Sequence, residues 1–378
     1  MSLLKKIIVF FLAAFVLILG IWFAIVWHRL IYTPLLNKGQ LQSTSIKVPP
    51  RTGIHYLADQ LHQEGYIYYP KLFILLAKIN GEAYRLKAGE YRINPGITAP
   101  ELLANMIAGK VMQRSILFVE GWTFRQYRKA LNANPNIKHT TETLTDAELM
   151  EKLGYPNEHP EGLFFPDTYF FTWGDSDLTI LREAYDAMKK VLAEAWDGRA
   201  STLSHQTAYE ALIVASLIEK ETALPRERPL ISGVIMRRLQ KGMRLQVDPT
   251  VVYGLGQPYG SKITKEDLES DTPYNTYRRY GLPPTPIDMP SQASIIAAMH
   301  PDHGDALYYV SRGDGSHQFS VTYKEHFRAV EKYLRPEAHK ICFQSVIPAL
   351  NIPAIPTWIE YCEIHFSLTP CSEKFYGK

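Results

Sequence analysis

The sequence predicts a mixed α+β protein carried on one N-terminal transmembrane helix, with a small αβ unit followed by a larger mixed α+β domain. Three features carry this expectation. An apolar run without a charged residue extends from Ile7 to Trp27. From Ile46 to about Ser115, short strand-like and helical patterns alternate. The alternation starts afresh at Ile116 and continues to about residue 335, with helical patterns long enough to build a second core.

As a helix, the run from Ile7 to Trp27 would span roughly 31 Å, enough for one membrane crossing. A cleaved signal peptide fits less well, because the run is long for such a segment and no small-x-small site precedes His28 and Arg29. Lys5 and Lys6 stand before the run and only Arg29 and Lys38 follow soon after it, which places residues 1–6 in the cytoplasm and exports the body. Residues 28–45 read as a linker, polar from Asn37 to Ser45.

In the small unit (46–115), Ile46 to Val48 reads as a strand ended by Pro49 and Pro50, with Thr52 as the cap of a helix from Gly53 to Glu64. A second helix is expected from Pro70 to Ile79, a strand from Leu86 to Ile93, a turn at Asn94 to Gly96, and a helix from Ala99 to Ala108 closed by Gly109. In the larger domain (116–335), a strand from Ile116 to Trp122 leads to a helix from Phe124 to Leu131, then a loop rich in Asn, Pro and Thr, then the aromatic segment Glu161 to Phe171. Long helices follow from Leu178 to Trp196, Tyr209 to Thr222 and Leu230 to Lys241. The segments Ala306–Ser311 and His317–Val321 form a hairpin around Gly313 to Gly315. The tail, 336–378, has no clear period and carries all three cysteines, Cys342, Cys362 and Cys371, so the expected core needs no disulfide.

Composition narrows the function. A net charge of +3 without a basic, aromatic-studded stripe argues against nucleic acid. His300, His303, His317 and His326 lack any spacing that would hold a metal, so no metal site and no cofactor is expected. The helix from Tyr209 to Thr222 is apolar on all sides and ends in Glu219, Lys220 and Glu221. Glu219 lies over Ala215 and Ser216, small residues that leave room for a ligand, whereas Glu221 points about 200° away. One solvated helix end would explain the same residues, but a carboxyl at an apolar helix end is also where a proton is held near neutral pH. Gln246, Asp248 and Thr250 alternate ahead of another apolar run and could line a sugar site. Asp248 could equally cap the next helix with Pro249 in its first turn. The segment Tyr274 to Ile287 gathers aromatic faces and amides in a proline-stiffened loop suited to sugar rings, although turn formation alone would account for it.

ASLIEKET (215–222), RLQVDPTVVYGLG (244–256), YNTYRRYGLPP (274–284) and DGSHQFSVTYKEH (314–326) together resemble the YceG-like (MltG) endolytic murein transglycosylases, as do LKAGEYRI, VEGWT and EGLFFPDTY. The resemblance covers about Ile46 to Leu334. It implies a LysM-like module at 46–115 and a transglycosylase domain at 116–335 in an inner-membrane protein with its catalytic part in the periplasm. Peptidoglycan glycan strands would be the substrate, and peptidoglycan synthases are further partners. Glu219 would be the catalytic acid and base, cutting the β-1,4 bond between N-acetylmuramic acid and N-acetylglucosamine and leaving a 1,6-anhydro end. Gln246, Asp248, Asn275 and Tyr277 would surround the saccharide, with Glu161 and Tyr169 nearby. Rival readings are a noncatalytic wall-binding scaffold and a muramidase that releases reducing ends. The tail has no counterpart in the resemblance.

Overall fold

The computed structural model describes residues 3–35, 42–203 and 205–334. The tail with Cys342, Cys362 and Cys371, and most of the expected polar tether, lie outside the described residues. The chain begins with α1 (Leu3–Tyr32), an apolar helix whose segment Lys5–Tyr32 is long enough to cross a membrane. Its first part is exposed on all sides, but Val26 and Leu30 are buried against the unit that follows.

That small unit comprises β1 (Thr44–Val48), α2 (Ile54–Gln63), α3 (Pro70–Ile79), β2 (Gly89–Ile93) and α4 (Ala99–Ala108). β1 and β2 pair antiparallel, Ile46 opposite Tyr91, and the helices close over one face. Its core holds Ile46, Leu57, Leu61, Phe73, Tyr91 and Leu102, with Leu30 of α1. α3 starts with proline in its first turn, and α4 ends on Gly109 at φ 74°, as the sequence predicts. Thr52 is not the cap of α2: Gly53 holds that position, with no side-chain cap.

The larger domain contains β3 (Gln113–Leu117), α5 (Phe124–Asn132), α6 (Asp146–Leu153), β4 (Thr168–Thr172), α7 (Asp177–Asp197), α8 (Ala208–Glu221), α9 (Arg228–Gln240), α10 (Asp248–Gly254), α11 (Lys265–Glu269), α12 (Gln292–Met299), β5 (Tyr308–Ser311), β6 (His317–Ser320) and α13 (Tyr323–Leu334). Here too the strands come in antiparallel pairs, β3 with β4 and β5 with β6. β3 ends earlier than the expected strand to Trp122. Gly121 turns the chain at φ 72°, and its N–H donates to Met289 O at 2.8 Å, so this stretch leaves its pairing with β4 and runs against the 286–291 segment.

α8 is the centre of the domain. Every residue from Ala211 to Ile218 is buried, and α7, α9, α10 and α12 pack around it. A helix wrapped on all sides needs no polar face, which is why its sequence shows no amphipathic stripe. Thr207 caps its start by accepting from the Glu210 N–H at 3.1 Å. It ends where Thr222 turns to an extended conformation ahead of Pro225.

Candidate active site

Where its neighbours give out at Ile218, α8 presents Glu219, Lys220 and Glu221 in succession, about 100° apart around the axis. Each meets a different environment. Glu219, half-buried, reaches the N-terminus of α12. There the Ser291 N–H (3.1 Å), the Ser291 hydroxyl (2.5 Å) and the Ser294 hydroxyl (2.6 Å) all donate to its Oε2. Ser291 is also the N-cap of α12, its Oγ accepting from the Ser294 N–H. Free N–H groups and the positive end of the helix dipole favour negative charge at this point. All three bonds fall on Oε2, and Oε1 takes none of them.

The 286–291 segment is held in place by Ser216, whose hydroxyl accepts from the Ile287 N–H at 3.0 Å and donates to Ile213 O. Ala215 and Ser216 are wholly buried under it, so the space expected over these small residues is filled by the protein's own chain. Asp288, also wholly buried, lies 3.9 Å from the Lys220 ammonium. Burial drives its carboxyl well above the usual range, Lys220 pulls it back, and the Glu219 and Glu161 charges add to the rise. Lys220 donates to Gly121 O and stands 4.1 Å from the Tyr259 ring centre. A Cβ on Gly121 would lie 3.5 Å from Lys220 Nζ and 3.6 Å from Glu219 Cγ, so the glycine forms the floor beneath both. Its neighbour Glu120 is pushed up by burial and then by the charge of Glu219, against the pull of Arg228.

Glu221 faces the opposite side. Burial first, then the charge of Asp248, raise its carboxyl to about 7, while a hydrogen bond with Tyr309 pulls it down. The Tyr277 hydroxyl donates to Asp248 Oδ1, and burial and Asp248 push that phenol up. Arg238 binds the Gln246 side chain at 3.3 Å and the Leu245 carbonyl at 2.8 Å. Gln246 takes a positive φ of 53° as its N–H meets Thr276 O. Val247 N and Thr250 Oγ1 both bond the Thr276 hydroxyl, which locks the 246–250 stretch onto the 274–277 loop.

Residues 46–332 match the YceG-like family. The chain belongs to that family. Over 322 residues it is 30% identical to the endolytic murein transglycosylase of Bacillus subtilis (strain 168), covering 81% of this chain and 89% of that protein. The endolytic murein transglycosylase of Streptococcus pneumoniae serotype 2 (strain D39) is 26% identical over 323 residues, and there the match spans 58% of the pneumococcal protein. A 2.6 Å crystal structure of a YceG-like protein from Listeria monocytogenes shares 30% identity and a TM-score of 0.51, across 76% of this chain and 99% of the other.

In this YceG-like chain the residues expected at the site divide into three groups. Glu219 stands at the half-buried end of α8. Gln246, Asp248 and Tyr277 come together beside Glu221, with Gln246 and Asp248 exposed and Tyr277 half-buried. Asp248 is not the cap of α10; Val247 is, and the Asp248 carboxylate is free to receive Tyr277. Asn275, Glu161 and Tyr169 are internal. Asn275 is wholly buried, its amide donating to Leu268 O and Ser270 O and its oxygen accepting from Tyr277 N, so it shapes the loop instead of meeting a sugar. Glu161 accepts from the Phe124 N–H at 2.9 Å and the Tyr253 hydroxyl at 3.0 Å, and burial raises its carboxyl to about 7. Tyr169 belongs to the core, packed beside Phe118 with its hydroxyl donated to Phe165 O. Sequence reasoning missed Ser291, Ser294, Asp288 and Glu120. The Ser-x-x-Ser spacing ahead of the apolar run Ile295–Met299 is a cap signal that could have located the first two.

Proposed function

We propose that this protein is an endolytic murein transglycosylase, the activity for which its Bacillus relative is named, and that Glu219 is its catalytic acid and base. The observation that carries this reading is the Glu219 carboxyl at the open end of a core helix, with Ser291 and Ser294 bound to one oxygen. The protonated Oε1 would give its proton to the glycosidic oxygen as the bond from C1 of N-acetylmuramic acid breaks, freeing the 4-hydroxyl of N-acetylglucosamine. The C6 hydroxyl oxygen of the same muramyl residue would then close on C1 and return its proton to Glu219. No water enters, and the product ends in a 1,6-anhydro ring. Negative charge on Glu219 between the two transfers falls on the carboxyl bound at the N-terminus of α12, the kind of fixed dipole that lowers a barrier.

Gln246, Asp248 and Tyr277 would hold the saccharide on the far side of the α8 terminus, and residues 46–115 would act as a LysM-like glycan-binding module. α1 would anchor the chain in the inner membrane with its N-terminus in the cytoplasm and residues 116–335 in the periplasm. There the enzyme would meet young strands beside the synthases that extend them.

Glu120 favours one other reading. Its carboxyl is close enough to Glu219 to feel that charge, and a second carboxylate could activate water and make the enzyme a muramidase. Mass spectrometry of fragments released from sacculi by the full chain in detergent separates the two. Anhydro ends are lighter by one water than reducing ends. Glu219→Gln should stop release; undiminished release would end the assignment of Glu219 under either chemistry.

A further inference from the structure

We infer that the small αβ unit rests on the lipid bilayer, with Tyr68 and Tyr69 at the start of α3 seated in the headgroup region beside Trp22 of α1. This builds on α1 spanning the membrane. The observation behind it is a contact across the two elements. The Trp22 and Tyr69 rings meet edge to face, 6.4 Å between centres. Trp22 lies inside the apolar run, five residues before its end at Trp27, or about 7.5 Å along the helix axis. A ring that touches Trp22 is therefore held at the depth of the boundary between headgroups and acyl chains, which interfacial segments occupy at roughly 5–10 Å.

The unit cannot lift away freely from that level. Val26 and Leu30, one and two turns beyond Trp22, are buried against it, Trp27 packs on its core, and Leu35 N donates to Ile97 O at 2.9 Å. The edge that this attachment turns toward the bilayer has a suitable surface. Tyr68 is 83% exposed and Tyr69 42%, and Leu75, also exposed, follows on α3. Neither tyrosine belongs to the core of the unit as the described residues form it. Tyrosine is favoured where one end of a ring meets hydrocarbon and its hydroxyl meets water. The neighbouring Lys71 is exposed as well, and an ammonium there would pair with an anionic phosphate. Exposed tyrosines also stack on sugars, but a sugar-binding face would have no reason to lie level with the middle of an apolar helix end.

The test uses the full chain with Cys342, Cys362 and Cys371 changed to Ser, reconstituted in vesicles of phosphatidylcholine and phosphatidylglycerol. Single cysteines Tyr68→Cys, Leu12→Cys and Lys190→Cys carry a polarity-sensitive fluorophore, and lipids carry a nitroxide near the headgroup or deep in the chain. The label at 68 should lose about half its emission to the shallow quencher and less to the deep one, given a seat near the headgroups. The label at 12, five residues inside the other end of the apolar run, should be quenched from within the bilayer, and the label at 190, an exposed position of α7, by neither lipid. If 12 is quenched while 68 behaves as 190 does, the unit stands clear of the bilayer and the inference is wrong, with the anchor intact. If 12 is not quenched, the membrane reading of α1 fails and takes the inference with it. A label at 68 that ignores lipid but shifts with soluble glycan strands would assign this edge to the substrate instead.

Discussion

Ser294→Ala removes one of the three hydrogen bonds on Glu219 and a longer, 3.4 Å contact from the Ser291 hydroxyl. The Ser294 hydroxyl is wholly buried and lies 2.6 Å from Oε2, and alanine is tolerated in the first turn of an α-helix such as α12. The two bonds from Ser291 remain. A hydrogen bond to a charged group contributes about 1.5–3 kcal/mol, which converts to a rate loss of roughly 10- to 150-fold. The bond matters most when Glu219 has given up its proton, so the loss should appear in kcat while KM for glycan stays near the wild-type value. Initial rates of fragment release from purified sacculi measure both, and a thermal melt shows whether α12 is still seated. In a Glu219→Gln background the same change should cost little more, because the two residues act as one unit. A Ser294→Ala enzyme with normal melting and undiminished kcat would refute the reasoning, as would a loss confined to KM.

The remaining predictions concern groups around that pair. Glu161 has its folded pKa raised to about 7 from 4.5, so its contribution to stability is complete below about pH 4.5 and is lost as pH rises toward 7. That difference is worth about 3 kcal/mol, and Glu161→Gln should flatten the decline in melting temperature between pH 5 and pH 8; parallel curves would contradict it. Gly121→Ala places a Cβ at φ 72°, a conformation that costs an L-residue about 1–2 kcal/mol, without a hard clash since its neighbours stand 3.5 and 3.6 Å away. Urea melts should show that loss, and cleavage should slow because the floor under Glu219 and Lys220 has risen. Glu219→Gln should cost about 10²- to 10⁴-fold in cleavage rate, the usual range for a general acid, and Glu221→Gln much less. The reverse order, measured on the same sacculi, would move the chemistry to the other side of α8.

Elements marked by local chemistry were readable in the sequence. α3 and α4 begin and end where Pro70 and Gly109 say they should, and the hairpin turns at Gly313 to Gly315. α6 was hidden in a stretch rich in Asn, Pro and Thr, although Thr145 and Glu148 form a capping box there. α12 is a short apolar helix without an amphipathic stripe, so periodicity could not reveal it. Glu219 was legible as a carboxylate ending an apolar helix. Its partners were not, because Ser291 lies 72 residues further on and Lys220 meets Gly121 across 99 residues. Such meetings are made by packing and leave no spacing to read. Asn275 and Tyr169 misled for a related reason: a polar or phenolic side chain beside a motif can serve a sugar or the fold, and here internal acceptors took both.

A raised carboxyl alone does not single out the acid proposed above. Glu161 and Glu221 both have carboxyls raised to about 7, close to the value that suits a general acid at neutral pH. Glu161 is sealed, 4% exposed, with one oxygen taken by the Phe124 N–H and the other by Tyr253. Glu221 shares its surroundings with Asp248, so any charge it develops is opposed by another anion. An acid that must surrender a proton and take one back needs an oxygen open to the sugar and a fixed positive field for the interval between. Glu219 has the field from Ser291, Ser294 and the start of α12, and those bonds leave Oε1 unengaged. Lys220 is held by Gly121 O, beside Asp288, and so is engaged away from that oxygen. On the proposed assignment, two glutamates two residues apart on one helix would divide the work by the faces they meet, one for proton transfer and one within the wall that would hold the glycan.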